Sequence, residues 1–205
     1  MKYNEMIVTP LFAAPFMRTK LDDIYLDTYR SSALIQRARG KDNGIIKSNI
    51  GGWHSENLDH RNPTNINLLQ KIGKPIDKFL DYYHINREKY GWEYSESWFI
   101  VNEKGHYNVP HIHPNSFLSG VFYIQTSDKS GDIIFHHHAK NIDYHKQSKD
   151  AFKKNEGHNS DTWKVTPENG DLFVFPSFLY HSVEENKTND YRIILSFNIN
   201  LIEEK

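Results

Sequence analysis

The chain has 205 residues, long enough for one domain with a sizeable core. Its 25 basic and 26 acidic residues are interspersed and sum to a net charge of −1, which argues against an electrostatic surface for nucleic acid or membrane. The absence of cysteine excludes disulfides, Cys-ligated zinc, iron–sulfur clusters and a thiol nucleophile; no apolar run of about 18 residues marks a membrane span, and a cytoplasmic location is expected.

In chain order, residues 6–12 predict a short edge strand that ends at Pro10, because proline cannot donate to a ladder. Residues 19–38 predict a loosely amphipathic helix, with Thr19 as its cap and Asp22 and Asp23 at the positive end of its dipole. Residues 40–44 form a turn, and residues 48–54, with Gly51, Gly52 and Trp53, predict a glycine-rich loop at a pocket mouth. The clearest helical pattern lies in residues 64–90, where Leu69, Ile72, Ile76, Phe79, Leu80 and Tyr83 recur at steps of three and four. Gly73 and Pro75 predict a kink there, or two abutting helices.

After Trp92 the period changes to two, the mark of short strands. Strands are predicted at residues 97–102, 107–113, 117–126, 131–136, 162–165, 171–175 and 191–200, with a hairpin loop at 128–131 and a turn at 166–170. Residues 139–161 are polar and without periodicity, an insertion expected to act as a lid. Residues 1–93 thus supply an N-terminal strand and supporting helices, and residues 94–200 a β core, within a single domain over 1–205.

Histidine is the residue type in excess, with 12 copies. His111 and His113 stand two apart in a predicted strand, so both imidazoles leave the same face. His181, in a predicted loop after Pro176 and Ser177, is placed to add a third nitrogen. Ser119, Val121 and Tyr123 share a face on one strand, and Arg192, Ile194 and Ser196 on another. An inward arginine is costly without an anion, and no carboxylate stands at matching spacing, so the anion is expected to be a ligand. His136, His137, His138 and His145 are read as a polar strand end with surface histidines.

The order G-x-Y-x-x-P-H-x-H, S-G-V-x-Y, G-D-x-x-F, P-x-x-G-D-L-x-x-F-P-S-x-x-x-H and R-x-x-x-S-F-N resembles the core of the Fe(II)/2-oxoglutarate-dependent dioxygenases. It is most similar to a family of 2-oxoglutarate oxygenases of phages and marine bacteria, related more distantly to prolyl hydroxylases. The resemblance implies a mainly β, α+β protein with N-terminal helices and a double-stranded β-helix (jelly-roll, cupin-like) core. It implies an enzyme using Fe(II), 2-oxoglutarate and O2 to hydroxylate a peptide or small molecule while the cosubstrate becomes succinate and CO2. By the same resemblance His111 and His181 are metal ligands, and Arg192 holds the far carboxylate of 2-oxoglutarate with Tyr123 and Ser119 as added donors. Asn102 would steady the cosubstrate. His113 departs from the pattern, standing where the family has an aspartate. It is expected to bind the metal, giving three histidines in place of two histidines and a carboxylate. Imidazoles with an ordinary pKa of about 6.5 then predict metal affinity that falls below about pH 6.

Two other readings fit parts of the pattern. A cupin-type metalloprotein not using 2-oxoglutarate also opens with H-x-H and a distant histidine, but has a glutamate where this chain has Leu118. A catalytically silent β-sandwich binding or accessory protein would keep the fold without the chemistry.

Overall fold

Several strands of the second half, LSGVFYI and DLFVFP among them, read as nearly continuous apolar runs because they are buried on both faces. The structure, a computed structural model, describes residues 12–22, 24–40, 44–137, 152–154 and 156–204. In order along the chain these form β1 (Met17–Lys20), α1 (Leu26–Arg39), β2 (Asn49–Ile50), β3 (Trp53–His54), α2 (Pro63–Tyr82), β4 (Tyr90–Asn102) and β5 (Tyr107–His111). There follow β6 (Leu118–Gln125), β7 (Ile133–His136), β8 (Thr162–Val165), β9 (Asp171–Pro176), β10 (His181–Val183) and β11 (Arg192–Glu203).

The strands make two antiparallel sheets, β1-β9-β6-β11-β4-β3 and β2-β5-β10-β7-β8. Alternation along the larger sheet divides its side chains between two cores. Phe99, Val101, Phe122, Leu172, Val174, Leu195 and Phe197 pack on the helices, through Leu68, Ile72, Ile76 and Leu80 of α2 and Ala33 of α1. Trp98, Ile100, Val121, Tyr123, Phe173, Phe175 and Ile194 point the other way, onto Ile133, Phe135 and Val165 of the smaller sheet. The result is a mainly β jelly roll, a double-stranded β-helix braced by N-terminal helices on one face, as expected.

Several local expectations are corrected. The described edge strand is β1, which pairs with β9; the strand predicted at 6–12 lies outside the described residues except for Phe12, which is in a turn. Thr19 is captured by that pairing, opposite Leu172, and caps nothing; α1 starts after Tyr25 without a side-chain cap. Asp23 lies outside the described residues. Of the two alternatives at Gly73 and Pro75, two abutting helices are excluded: α2 is a single element with Pro75 inside it, and Ile72, Ile76, Phe79 and Leu80 are buried on both sides of the proline. Its start is capped by Asn62, whose side chain accepts from the Thr64 N–H, with Pro63 in the first turn. Residues 128–131 are no hairpin: β6 and β7 belong to different sheets, and the turn carries the chain across. The loop at 48–54 contains two short strands, β2 and β3, that pair with β5 and β4. Most of the predicted lid, including His145, and His138 before it lie outside the described residues.

Candidate metal centre

Antiparallel pairing of β10 with β5 puts His181 directly opposite His111. The predicted loop position of His181 is therefore corrected: it opens a three-residue strand. The predicted strand through His113 ends instead at His111, and His113 is held by its backbone N–H, which donates to the Ser177 carbonyl at 3.0 Å. The three rings converge, with centroids 4.3 Å (His111–His181), 5.0 Å (His111–His113) and 5.3 Å (His113–His181) apart. One ring nitrogen from each lies within 4.8 Å of the others, the arrangement of a metal site.

Backbone carbonyls set two of the tautomers. The His111 Nδ1–H donates to Val109 O at 2.8 Å and the His181 Nδ1–H to Leu179 O at 2.8 Å, which leaves each Nε2 lone pair free to ligate. Ser48 Oγ lies 3.3 Å from the His111 Nε2. Burial, reinforced by the neighbouring imidazoles, holds His113 down to about 3 and His181 well below the usual histidine range; burial lowers His111 as well. All three are neutral at physiological pH, as ligands must be. The expectation that metal affinity falls below about pH 6 assumed unperturbed imidazoles, and burial lowers all three from that ordinary value.

These histidines line a cavity of about 350 Å³ with Trp98, Val121, Tyr123, Phe175, Ile194 and others. On β11 the side chains of Ile194, Ser196 and Asn198 line it in alternation, and Arg192, buried, is the next residue in that series beyond Ile194. Arg192 is 1% exposed and makes no ion pair among the described residues. Its Nη1 donates to the carbonyls of Ser130 and of Glu184, the latter at 2.9 Å, whereas its Nε and Nη2 are buried without a partner. Burial lowers the guanidinium to about 10, so it stays charged at neutral pH. Gly131 makes room for it: at φ +96°, an added Cβ would stand 2.6 Å from Arg192 Nη1. A buried cation with two idle donors fits a carboxylate that no described residue supplies.

Tyr123 lines the cavity two pleats from this guanidinium, opposite Ile194, and burial raises its phenol. Asn102 is the Cα partner of Arg192, and its buried Oδ1 also lacks a partner. Ser119 is placed elsewhere. It pairs with Asn198, six residues along β11 from Arg192 and so about 20 Å away at ~3.3 Å per residue, and is spent on Ser177 Oγ (2.7 Å) and Asn198 Oδ1 (2.8 Å). Its expected role as a carboxylate donor is corrected on that ground. Lys47, His54 and Glu96 line the cavity without having been singled out by spacing, since the bend before β2 and strands β3 and β4 come together only in the fold. His136 closes β7 with its Nε2 2.9 Å from Ser182 Oγ, outside the metal cluster.

The family model described as "Putative 2OG-Fe(II) oxygenase" matches residues 96–198, half of the chain and the span that carries the histidines, Tyr123 and Arg192. The chain belongs to this family. It is an enzyme, an oxygenase that uses Fe(II), 2-oxoglutarate and O2. The cupin-type and silent-module readings are not favoured. No curated protein matches the chain. Among solved structures the oxygenase is similar to the alpha-ketoglutarate-dependent epimerase SnoN from nogalamycin biosynthesis, at 13% identity and TM-score 0.64, covering 90% of this chain and 77% of that one. A prolyl-4-hydroxylase from Pseudomonas putida is similar at 15% identity and TM-score 0.59, covering 93% and 94%. HygX from Streptomyces hygroscopicus, with nickel, 2-oxoglutarate and hygromycin B bound, is similar at 11% and 0.60, covering 91% and 83%. At these identities the likeness is one of fold. Among the described residues no helix is long and apolar enough to cross a membrane.

Proposed function

We propose that His111, His113 and His181 hold Fe(II) through one ring nitrogen each, and that Arg192 binds the far carboxylate of 2-oxoglutarate with Tyr123 and Asn102 beside it. The observation that carries this reading is the pairing of three neutral, converging imidazoles with a buried guanidinium whose Nε and Nη2 have no partner. Bound metal and cosubstrate supply the oxidising chemistry: one O2 and one 2-oxoglutarate are consumed, succinate and CO2 leave, and one oxygen atom enters a C–H bond of the substrate.

The protein contributes placement. The Val109 and Leu179 carbonyls hold two imidazoles in ligating orientation before any ion arrives, so little reorganisation is needed on binding. Arg192 is anchored by its Nη1, which leaves a fixed edge of the fork for a carboxylate. Trp98, Ile100, Val121 and Phe175 wall the space between with apolar surface and keep bulk water from it. The substrate, a peptide or a small molecule, enters from the side of Lys47, Ser48 and Glu96. Anaerobic addition of Fe(II) and then 2-oxoglutarate tests the reading: a visible charge-transfer band saturating at one equivalent of each is expected, and its absence from folded protein would refute it.

A further inference from the structure

The mouth of the cavity carries a positioned acid and a loosely held base. Glu96 and Lys47 both line it beside Trp98, which is 4% exposed and stacks on His54 with ring centroids 5.2 Å apart and an interplanar angle of 9°. Glu96, its side chain 41% exposed, is tied through one carboxylate oxygen from below. The Asn198 Nδ2 donates to its Oε2 at 3.1 Å, the Ser119 hydroxyl donates to Asn198 Oδ1 at 2.8 Å, and Ser119 and Ser177 share a hydrogen bond of 2.7 Å. Asn198, Ser119 and Ser177 are all buried, and the Ser177 carbonyl also accepts from the backbone of His113. The Ser119–Ser177–Asn198 cluster thus holds the His113 backbone through Ser177 and one Glu96 carboxylate oxygen through Asn198, and such networks rigidify what they hold.

Lys47 is held differently. Its side chain is 51% exposed, and its Nζ lies 4.0 Å from Glu96 Oε1 and 5.5 Å from the centroid of the Trp98 ring. A half-exposed pair at that distance is weak, and ordering a lysine chain costs entropy. The ammonium nevertheless marks a place where an aromatic face and a fixed carboxylate together receive a cation. The Trp98 Nε1–H is buried with no acceptor among the described residues, a donor left for an oxygen on a ligand.

We propose that the position taken by the Lys47 ammonium is a substrate subsite, and that the oxygenase acts on an amine-bearing substrate whose protonated nitrogen sits between Glu96 and Trp98. Lys47 holds the subsite until the substrate displaces it. The Trp98 and His113 rings are 5.9 Å apart, so a short alkyl chain running from that nitrogen reaches the metal side of the cavity. This rests on the oxygenase reading above. The opposite polarity, an anionic substrate held by Lys47, would place the fixed group on the wrong side of the pair.

Calorimetric titration of the protein loaded anaerobically with Fe(II) and 2-oxoglutarate tests the proposal, with pentylamine, N-pentylacetamide and pentanoate as probes. Pentylamine is expected to bind and the uncharged amide not to. Glu96→Gln should weaken pentylamine by about tenfold or more, and Lys47→Ala, which removes the competitor, should tighten it. Amine binding unchanged by Glu96→Gln, as direct ligation of iron would give, overturns the proposal. So does weakening by Lys47→Ala, pentanoate bound in preference, or no amine binding at all. Protein that takes up neither Fe(II) nor 2-oxoglutarate refutes the oxygenase reading instead, and the same amine titration on the metal-free protein, where Glu96 and Trp98 are already in place, still decides this one.

Discussion

Replacing Arg192 by alanine separates the cosubstrate site from the metal site. The guanidinium offers Nε–H and Nη2–H to a ligand, both buried and unpaired among the described residues. Hydrogen bonds to charged groups contribute about 1.5–3 kcal/mol each, so two of them predict a loss of about 3 kcal/mol or more, a factor of about 100 in 2-oxoglutarate affinity. A second, independent cost falls on the fold. The Ser130 and Glu184 carbonyls lose their Nη1 donor, at about 1–3 kcal/mol for each group left unsatisfied, partly offset by removing the need to bury the charge. The assay is therefore a thermal melt followed by anaerobic titration of the iron-loaded variant with 2-oxoglutarate. The expected result is a protein with lowered Tm that keeps wild-type Fe(II) affinity and binds 2-oxoglutarate at least about tenfold more weakly, the lower bound allowing water to replace part of the pair. Affinity for 2-oxoglutarate within about threefold of wild type, in a folded variant, would refute the assignment of Arg192.

Two further outcomes follow from the same geometry. Gly131→Ala should lower both stability and 2-oxoglutarate affinity, because its Cβ would meet Glu184 O at 2.3 Å and Arg192 Nη1 at 2.6 Å; a melt and the same titration check this, and wild-type behaviour in both would count against it. The metal-free protein should lose stability on acidification: folded His113 titrates near 3 against an ordinary 6.5, so between those values the unfolded chain binds more protons and stability falls as pH falls, by at most about 1.4 kcal/mol per pH unit for each such group. A melting temperature of the metal-free protein that does not decline on acidification would contradict the burial argument.

The parts of the fold legible in the sequence are those where one period dominates. The alternation through residues 97–102, 117–126 and 171–175 marks strands because each face packs on a different core, and the i, i+3, i+4 pattern around Ile72, Ile76 and Leu80 marks α2. Strand β10 escaped because three residues carry no period, and its pairing with β5 and β7 is set by partners distant in the chain. The turn at 128–131 has hairpin chemistry, but turn residues fix only a local reversal, not the sheet to which the next strand belongs. In the site, His111 and His113 are visible from their spacing, His181 from its place after Pro176 and Ser177, and Arg192 from an inward strand position without a matching carboxylate, with the resemblance adding their roles. Ser119 was misplaced because a shared face does not fix position along a strand; only register does. Lys47 and Glu96, 49 positions apart by number, meet only through the packing of β2 and β3 against β4 and β5, which no local pattern announces.

The three-histidine centre stands or falls on His113. Anaerobic Fe(II) titrations of the wild type, His113→Ala and His113→Asp, each shown by melting to be folded, test it directly. A three-imidazole site predicts that His113→Ala loses at least about tenfold in Fe(II) affinity, and that His113→Asp, with two histidines and a carboxylate, recovers it. Fe(II) bound by His113→Ala with near wild-type affinity would show that His113 is not a ligand and would contradict the three-histidine centre.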